Sequence, residues 1–400
     1  MKRAVQIGAV LLLVSLAASA GETRVYREGN TWVQEITGSL VPMKKVQVST
    51  PAGAVKVQGS PQQQNITYKI RKRVNRAGSE EEARRIFEQT KVTVWPQGDV
   101  AMFRAYTAQW NRHVNHSTDF EIMVPRDTAA VDADTKGGPV DVRGINGTVD
   151  ARSAGGSITL DDVSGQSMAF TNGGAIHVGR AGSDVRLKTQ GGPIEVLKAE
   201  KVFAWTAGGP VKVRSASTVQ IQTMGGSIDV ESCDGDLMVA TAGGNIDVGK
   251  AGKVMAKTSG GSIRVDSAQG PVKVQTAGGG LRLMGLRHGV AAQTAAGGIT
   301  AEFLPGIRQF SESKLITTAG DIVVYVPEDL AVTVNAIVER GDGYEIRAAD
   351  FPSIRVSKPG EQFGPRPITA EGMLNGGGPV LLLHTANGNI ELRRTRKGQR

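Results

Sequence analysis

Apolar and polar residues alternate along most of this chain, and in the middle of the sequence the alternation recurs at a fixed interval. Between Thr135 and Ala301 an eight-residue motif occurs ten times, from TKGGPVDV to TAAGGITA, and successive copies start 17 or 18 residues apart. Every copy contains Gly-Gly, and two apolar residues two positions apart follow it, as in Ile176 and Val178. A spacing this constant predicts a repeat architecture.

Each period predicts two strands, because side chains two residues apart point to the same face of a strand. The first strand follows the Gly-Gly. The second strand ends at the next Thr, and its inward positions lie four, two and zero residues before that Thr, as in Val185, Leu187 and Thr189. An antiparallel meander would also alternate, but it would not require every turn to have the same length.

We therefore predict an all-β fold, a stacked β-solenoid (parallel β-helix) of about ten 17–18-residue coils. At about 4.8 Å per coil the rod would be about 48 Å long. The rule for parallel crossovers favours a right-handed winding. The Gly-Gly is interpreted as the corner of each coil, because glycine adopts positive φ without strain and because stacked corners leave no room for a Cβ.

The first twenty residues predict export. Lys2 and Arg3 precede an apolar segment, and Ala18, Ser19 and Ala20 form a small-residue cleavage site, so residues 1–20 are predicted to be a signal peptide. No later segment is apolar enough to predict a transmembrane span in the mature chain. We expect a location in the periplasm, at the cell surface or outside the cell.

The segments that flank the repeats are less regular. Residues 21–134 are predicted to contain strands and one helix, roughly Glu80 to Thr90, with a capping box formed by Ser79 and Glu82. Residues 302–400 are predicted to contain irregular repeats, a cap and a basic tail. Further copies of the motif begin at positions 50, 317 and 385. Both flanking segments are expected to close the ends of the rod, which needs capped ends.

The amino-acid composition agrees with the predicted repeat fold and adds three observations. Glycine accounts for 52 of the 400 residues, but its fixed positions indicate turns and not disorder. Cys233 is the only cysteine, so no intramolecular disulfide can form, and it is predicted to be a free thiol in a turn. The net charge of +9 favours anionic envelope polymers or lipid head groups as binding partners. Nucleic acid is not expected as a partner, because the chain is predicted to be exported and lacks an aromatic-basic recognition motif.

A search for metal or catalytic chemistry finds little. The outward position between each first-strand apolar pair carries mixed charge and predicts a solvated face without a calcium site. These positions are Asp141, Thr159, His177, Glu195, Lys212, Asp229, Asp247, Arg264, Arg282 and Thr300. His113 and His116 could share a face in a helix, but the surrounding alternation predicts strand and turn, and no third zinc ligand is suitably spaced.

An enzyme is the less favoured alternative. Polysaccharide lyases and hydrolases also use β-helices, but they need clustered acidic and basic groups on adjacent coils, and the alternating signs do not supply them. The motif G-x-S-x-G is absent. We therefore predict no enzymatic activity, no cofactor and no metal.

The outward positions of the second strands form a more distinctive face. In a stacked solenoid these residues align along one side, with two cations between two aromatic rungs, which predicts an interaction face. The candidate residues are Met168, Phe170, Arg186, Lys188, Phe203, Trp205, Met238 and Met255. The alternative is that the N-terminal or C-terminal segment packs over this face and covers it.

The chain resembles the bacterial "putative adhesin" β-repeat family. The resemblance rests on the repeated Gly-Gly units with alternating apolar residues, the SEEEA helix, the VPRD and VPED strand openings and a closing TANGNIEL, and it spans roughly residues 46–392. It implies an exported β-helical surface or periplasmic module and supplies no catalytic motif. This chain favours Gly-Gly where many members carry Gly-Asp, which argues against cation binding.

Together these observations predict an exported, non-enzymatic β-solenoid with an adhesin-like or structural surface for interaction with the cell envelope. The partner, whether protein, peptide or glycan, is not specified by the sequence. The alternative is an envelope-stress or ligand-sensing module that binds a peptide or glycan on the aromatic face. A carbohydrate-active β-helix enzyme comes third.

Overall fold

The computed structural model describes residues 19–75, 77–107, 116–358 and 366–395. The predicted signal peptide lies outside the described residues up to position 18, and the first strand begins at Ser19. The N-terminal elements are β1 (Ser19–Glu28), β2 (Thr31–Leu40), β3 (Lys45–Thr50), β4 (Val55–Ser60), β5 (Ile66–Asn75), α1 (Glu80–Gln89), β6 (Thr90–Gln97), β7 (Val100–Thr107) and β8 (His116–Pro125).

The regular repeats form strands that pair in parallel with the corresponding strands one coil away, which confirms the predicted β-solenoid. The strands are β9 (Ala130–Thr135), β10 (Val140–Ile145), β11 (Thr148–Ser153), β12 (Ile158–Val163), β13 (Ser167–Thr171), β14 (Ile176–Arg180), β15 (Val185–Thr189), β16 (Ile194–Thr206), β17 (Val211–Thr223), β18 (Ile228–Ala240), β19 (Ile246–Lys257), β20 (Ile263–Ala268), β21 (Val272–Gln275), β22 (Leu281–Leu286), β23 (Val290–Thr294) and β24 (Ile299–Phe303).

Eight further strands follow the regular repeats. They are β25 (Ser313–Ala319), β26 (Ile322–Val326), β27 (Val332–Val338), β28 (Ile346–Arg347), β29 (Arg355–Ser357), β30 (Ile368–Leu374), β31 (Val380–Asn387) and β32 (Ile390–Arg394).

At both ends of the rod the order of coils in space differs from their order in sequence. The coil of β3 and β4 lies between the β7–β8 coil and the β9–β10 coil, and it pairs in parallel with both. The coil of β31 and β32 lies between the β25–β26 coil and the β27–β28 coil. Antiparallel strands then extend the sheets outward, namely β5, β2 and β1 beyond β8, β6 beyond β7, and β30 and β29 beyond β27.

The interior consists of columns of equivalent side chains. The predicted inward pairs of the first strands are buried, for example Ile194 and Val196, which pair with Val211 and Val213 of the next coil. The predicted inward residues of the second strands are buried as well. One continuous apolar cluster runs from Leu40 to Leu392, so burial along the whole rod holds the coils together.

The Thr that ends each second strand forms a polar column inside the apolar interior. In the coil of Thr276, the hydroxyl group donates a hydrogen bond to the carbonyl oxygen of Gly261 in the preceding coil (2.8 Å) and accepts one from the N–H of Gly279 (3.2 Å). Ser153 makes the same two bonds through its own hydroxyl group. The hydroxyl group therefore satisfies two buried backbone groups at the corner, a role that the alternation did not indicate.

Replacing Thr276 by Val is expected to lower the free energy of unfolding by about 2 kcal/mol, because a buried carbonyl and a buried N–H lose their partner while the shape is retained. The matched control is Thr276→Ser, which removes a methyl group but keeps the hydroxyl group, as Ser153 does. Urea unfolding of the two variants provides the measurement. Equal stability of the Val variant and the wild type would contradict the role of the hydroxyl column.

The Gly-Gly corners are explained by only one of the two predicted reasons. Positive φ occurs at Gly53 and Gly320, in outlying copies of the motif, but at no Gly-Gly pair of the ten regular motifs. The stacking reason holds for the glycine at the fourth position of the motif, which is the second glycine of the pair in the first nine copies and the first in the tenth. A Cβ on Gly244 would overlap the carbonyl oxygen of Gly226 in the preceding coil, whereas a Cβ on Gly243 would meet only a carbonyl oxygen 3.9 Å away.

The far end of each coil is a bend, and in the middle of the rod the backbone remains in strand conformation through it. Strands β16 to β19 each contain 12 or 13 residues and cross this bend. Cys233 was predicted to lie in a turn, but it lies within β18 and is 1% exposed. It belongs to an inward column between Ala216 and Ala251, and burial raises the pKa of its free thiol.

Helix α1 confirms the predicted helix and its cap. The Ser79 hydroxyl group accepts a hydrogen bond from the Glu82 N–H (3.2 Å), and the Glu82 carboxylate accepts one from the Gly78 N–H (2.8 Å). Ala83 and Phe87 are buried against the sheet of β1, β2 and β5. Among the described residues, no helix has the length and apolar character that crossing a bilayer requires.

Candidate functional site

The outward positions of the second strands form two parallel columns on one side of the rod, which we call the second-strand face. The parallel register sets both columns, because each residue pairs with its equivalent one coil away. The first column reads Asp150, Met168, Arg186, Phe203, Gln220, Met238, Met255, Lys273 and Ala291. The second column reads Arg152, Phe170, Lys188, Trp205, Gln222, Ala240, Lys257, Gln275 and Gln293.

Cations and aromatic rings stack on each other along these columns. The Arg186 guanidinium carbon lies 5.8 Å from the centre of the Phe203 ring, and the Lys188 ammonium nitrogen lies 5.0 Å from the centre of the Trp205 ring system. These are distances at which a cation is attracted to the negative face of a ring. The predicted alternation of cations and rings is therefore present as physical contact between adjacent coils.

The stack begins one coil earlier than the sequence indicated. The Arg152 guanidinium carbon lies 5.8 Å from the centre of the Phe170 ring, and the same guanidinium group is paired with Asp150 at 2.7 Å. Arg152 was not among the candidate residues. Counting 18 residues back from Phe170 would have found it, because the register pairs these two positions.

The described chain leaves this face open to solvent. Arg186 and Lys188 are exposed, Met238 is 50% exposed and Met255 is 36% exposed, while the aromatic rings are half-buried between their neighbours. The N-terminal and C-terminal strands pair at the two ends of the rod. They do not lie across these columns.

The charge of the second-strand face is one-sided. From β13 to β23 the two columns contain four cations, Arg186, Lys188, Lys257 and Lys273, and no carboxylate. Within the described part of the chain, no carboxylate lies within ion-pair distance of these four side chains. The acidic residue of the columns, Asp150, lies before β13 and is paired with Arg152. Asp184, at the margin of the face, lies 3.8 Å from Lys201.

The opposite side of the rod, formed by the outward residues of the first strands, compensates its own charges. Lys212 lies 3.2 Å from Glu231 and 3.6 Å from Asp229. Arg264 lies 2.8 Å from Asp266. This arrangement agrees with the interpretation of the charge ladder as a solvated face of mixed sign.

Two carboxylates on that side, those of Asp229 and Asp247, occupy neighbouring positions in the register of adjacent coils. Burial, followed by the charge of Asp229, raises the pKa of Asp247. Among the described residues, no group of three or more His, Cys, Asp or Glu side chains could hold a metal ion. His116 lies in β8, whereas His113 lies outside the described residues.

A shallow cleft adjoins the N-terminal end of the second-strand face. It has a volume of about 350 Å³, and Arg152, Phe170 and Lys188 contribute to its wall together with Lys136 and Gln190. The cleft therefore adds a concave, basic rim to an otherwise flat sheet surface.

Comparison with known proteins identifies a family whose model covers the repeats of this chain. The family model described as Toastrack DUF4097 matches residues 88–345, which is more than half of the chain. No curated protein matches.

Several solved structures are similar to this chain at low identity. A putative adhesin from Bacteroides fragilis NCTC 9343 shares 12% identity over 73% of this chain and 96% of its own, with a TM-score of 0.26. A putative adhesin from Parabacteroides distasonis ATCC 8503 shares 12% identity over 74% and 97%, with a TM-score of 0.23. A putative cell adhesion protein from Clostridium sporogenes ATCC 15579 shares 9% identity over 91% and 100%, with a TM-score of 0.18.

These TM-scores are too low to carry an argument, so the assignment rests on the family model and on the parallel stacking of the coils. The β-repeat resemblance of the sequence is confirmed. The chain belongs to the Toastrack DUF4097 family.

Proposed function

We infer that this chain is an exported, non-enzymatic β-solenoid that binds a component of the bacterial cell envelope through its second-strand face. The observation that carries this proposal is the open aromatic and cationic stack of Phe170, Lys188, Phe203 and Trp205. Half-buried rings beside exposed cations provide apolar contact area and charge in one place, which is typical of interaction surfaces. The rigid coils fix the spacing of these groups, so the rod acts as a platform.

The adhesin-like role follows from the shape of this surface. Its columns run along the rod for many coils, and they end in no deep, enclosed cavity among the described residues. An extended flat surface suits an extended partner better than a small molecule, since small-molecule sites are typically concave. The names of the solved relatives agree with this proposal but do not establish it.

The double variant Phe203→Ala/Trp205→Ala is expected to weaken binding to isolated envelope fractions by about 30-fold, because truncating central aromatic residues typically costs about 2 kcal/mol. Co-sedimentation of the purified mature chain with these fractions measures the effect. The matched control is Leu197→Ala/Arg214→Ala, which truncates exposed residues of the adjacent strands β16 and β17 on the opposite side of the rod. Unfolding of each variant is followed separately. Unchanged binding together with reduced stability would show that the rings serve only the fold.

The enzyme alternative is tested in the same preparation. Turnover of envelope polysaccharide, detected as new reducing ends, would replace the platform function with a catalytic one. Asp229 and Asp247 would then be the first residues to substitute, because they are carboxylates on adjacent coils.

A further inference from the structure

From β13 to β23 the second-strand face carries four cations, which fall into two groups. Arg186 and Lys188 lie on the same strand, β15, and we call them the proximal basic pair. Lys257 at the end of β19 and Lys273 in β21 lie on adjacent coils, and we call them the distal basic pair. Arg186 and Lys273 share one column and are separated by five coil steps, which amounts to roughly 24 Å at about 4.8 Å per step.

Among the described residues, no acidic side chain neutralises either basic pair. The proximal pair rests on aromatic rings, and no described carboxylate lies within ion-pair distance of either pair. By contrast, most cations of the opposite side contact carboxylates, as Lys212, Arg214 and Arg264 do. Unpaired cations held in line on a rigid sheet attract an anionic partner and raise its local concentration.

The surface between the two pairs indicates what kind of anion fits. Gln220 and Gln222 follow the aromatic rungs and are exposed, so they offer amide donors and acceptors at the centre of the face. The rings of Phe203 and Trp205 are half-buried and are covered on one side by the cations of the preceding coil. This arrangement presents charge and hydrogen-bonding groups to the outside more than it presents protruding apolar groups.

A bilayer is the less suitable partner. Interfacial binding to lipid requires apolar side chains that enter the acyl boundary. Here the large rings do not protrude, and the large exposed apolar side chains in these columns are Met238 and Met255, which occupy paired positions on two adjacent coils. A hydrated polymer that carries both hydroxyl groups and regularly spaced anionic groups matches the whole length of the face.

Resting on the proposed function, we propose that the second-strand face binds a linear acidic polysaccharide lying parallel to the rod axis. Anionic groups of the polymer contact the proximal and distal basic pairs, and its hydroxyl groups contact Gln220 and Gln222. Each pair alone is a weak, solvent-exposed site. One chain that spans both pairs gains from the high effective concentration of its second anionic segment.

The test uses polyuronate (alginate) fragments of defined length and the purified mature chain. Fragments about twice as long as the 24 Å span are expected to bind at least about tenfold more tightly than fragments shorter than the span. Binding is expected to fall steeply as ionic strength rises from about 0.01 M to about 1 M, because the Debye length shrinks from about 30 Å to about 3 Å. Titration calorimetry gives both results.

Two charge-removal variants test the bridging geometry. Arg186→Gln/Lys188→Gln and Lys257→Gln/Lys273→Gln are each expected to abolish the advantage of long fragments. The control Lys212→Gln/Arg214→Gln removes the same charge from the opposite side of the rod and is expected to keep that advantage. All six positions are exposed, so circular dichroism should show an unchanged fold in every variant.

Three outcomes would overturn the inference: equal binding of short and long fragments, equal loss in the control variant, or binding to phosphatidylglycerol vesicles without binding to alginate. The proposed function is tested separately. If the aromatic double variant loses envelope binding while alginate does not bind, the platform function stands and the polysaccharide assignment fails. If alginate binds as expected but the aromatic double variant binds envelope fractions as tightly as the wild type does, the proposed function is contradicted.

Discussion

Replacing Gly244 by Ala is expected to destabilise the solenoid by at least about 3 kcal/mol, whereas replacing the adjacent Gly243 is expected to change its stability little. The cause is the stacking of the corners. A Cβ on Gly244 would overlap the carbonyl oxygen and carbon of Gly226, and these are backbone atoms that the neighbouring strands hold in place. The coil can relieve the overlap only by moving away from its neighbour, which weakens the parallel hydrogen bonds on both sides.

Gly243→Ala is a close control for this effect. It introduces the same methyl group one residue earlier, where the nearest atom is a carbonyl oxygen 3.9 Å away and φ lies outside the left-handed region. A small gain of about 0.5 kcal/mol is reasonable, because alanine restricts the unfolded chain. Urea unfolding followed by far-ultraviolet circular dichroism gives both values. Equal effects of the two substitutions would disprove the steric account of the corner.

Raising the pH through the range of about 8 to 10.5 is expected to stabilise the N-terminal end of the rod by roughly 3 kcal/mol through Lys72. Lys72 lies in β5 beneath helix α1, is 9% exposed, and donates a hydrogen bond to the carbonyl oxygen of Phe87 at 3.1 Å. Burial lowers the pKa of this lysine from 10.5 to about 8. At its register it lies between Gln34 and Thr118, neither of which is charged.

The direction of the pH effect follows from proton binding. Between pH 8 and 10.5 the unfolded lysine is protonated and the folded one is largely neutral, so the unfolded state binds more protons and stability rises with pH. Below pH 8 both states are protonated, and the folded protein bears the full cost of the buried charge. Above pH 10.5 both states are neutral and the effect levels off.

Lys72→Met isolates this contribution. The variant keeps the apolar stem of the side chain and removes the charge, so its stability should exceed that of the wild type at pH 7 and lose this advantage near pH 10.5. The same strand contains other ionisable groups, including Tyr68, whose pKa burial raises. They are present in both proteins, so the difference between the two free energies of unfolding is the measurement. A difference independent of pH would refute the role of Lys72.

The sequence predicted the regular part of the fold because each coil is a local unit. Alternation and period together predicted the inward pairs of the first strands and three inward positions of each second strand, and residues such as Ile194 and Val196 are buried as predicted. The capped helix was also predicted, because its signals lie within four residues of each other, at Ser79 and Glu82.

The ends of the rod could not be predicted in this way. The motif copies at positions 50 and 385 were recognised as repeats. Each, however, is inserted between two coils that follow one another in the chain and are distant in sequence from the inserted copy. The position of these two coils in the stack depends on strand pairing between residues far apart in the chain, and a repeat period gives no information on such pairing. The bend that contains Cys233 was missed for a related reason. The residues SCDGD around it suggest a turn, yet parallel neighbours on both sides keep its backbone in strand conformation.

The candidate interaction face shows the same division. Its eight proposed residues follow from alternation, and the sequence by itself determined that they share one side of the rod. Whether the face is open depends on where the terminal strands pair, and only the tertiary structure placed those strands at the ends of the rod. The register between coils also brought Arg152 into contact with the ring of Phe170. The same register placed the unpaired cations on one side of the rod and most of the ion-paired cations on the other.

The Gly-Gly corner and its Thr also show which features the sequence determined and which depended on contacts between coils. The sequence determined their period and their place at the corner, because a repeated local conformation requires repeated residues. Only the stacked structure decided why they are needed, since the overlap with Gly226 and the bonds of Thr276 to Gly261 arise between coils. Local chemistry determines each coil of this protein, and contacts between coils determine how the coils stack and which surface they expose.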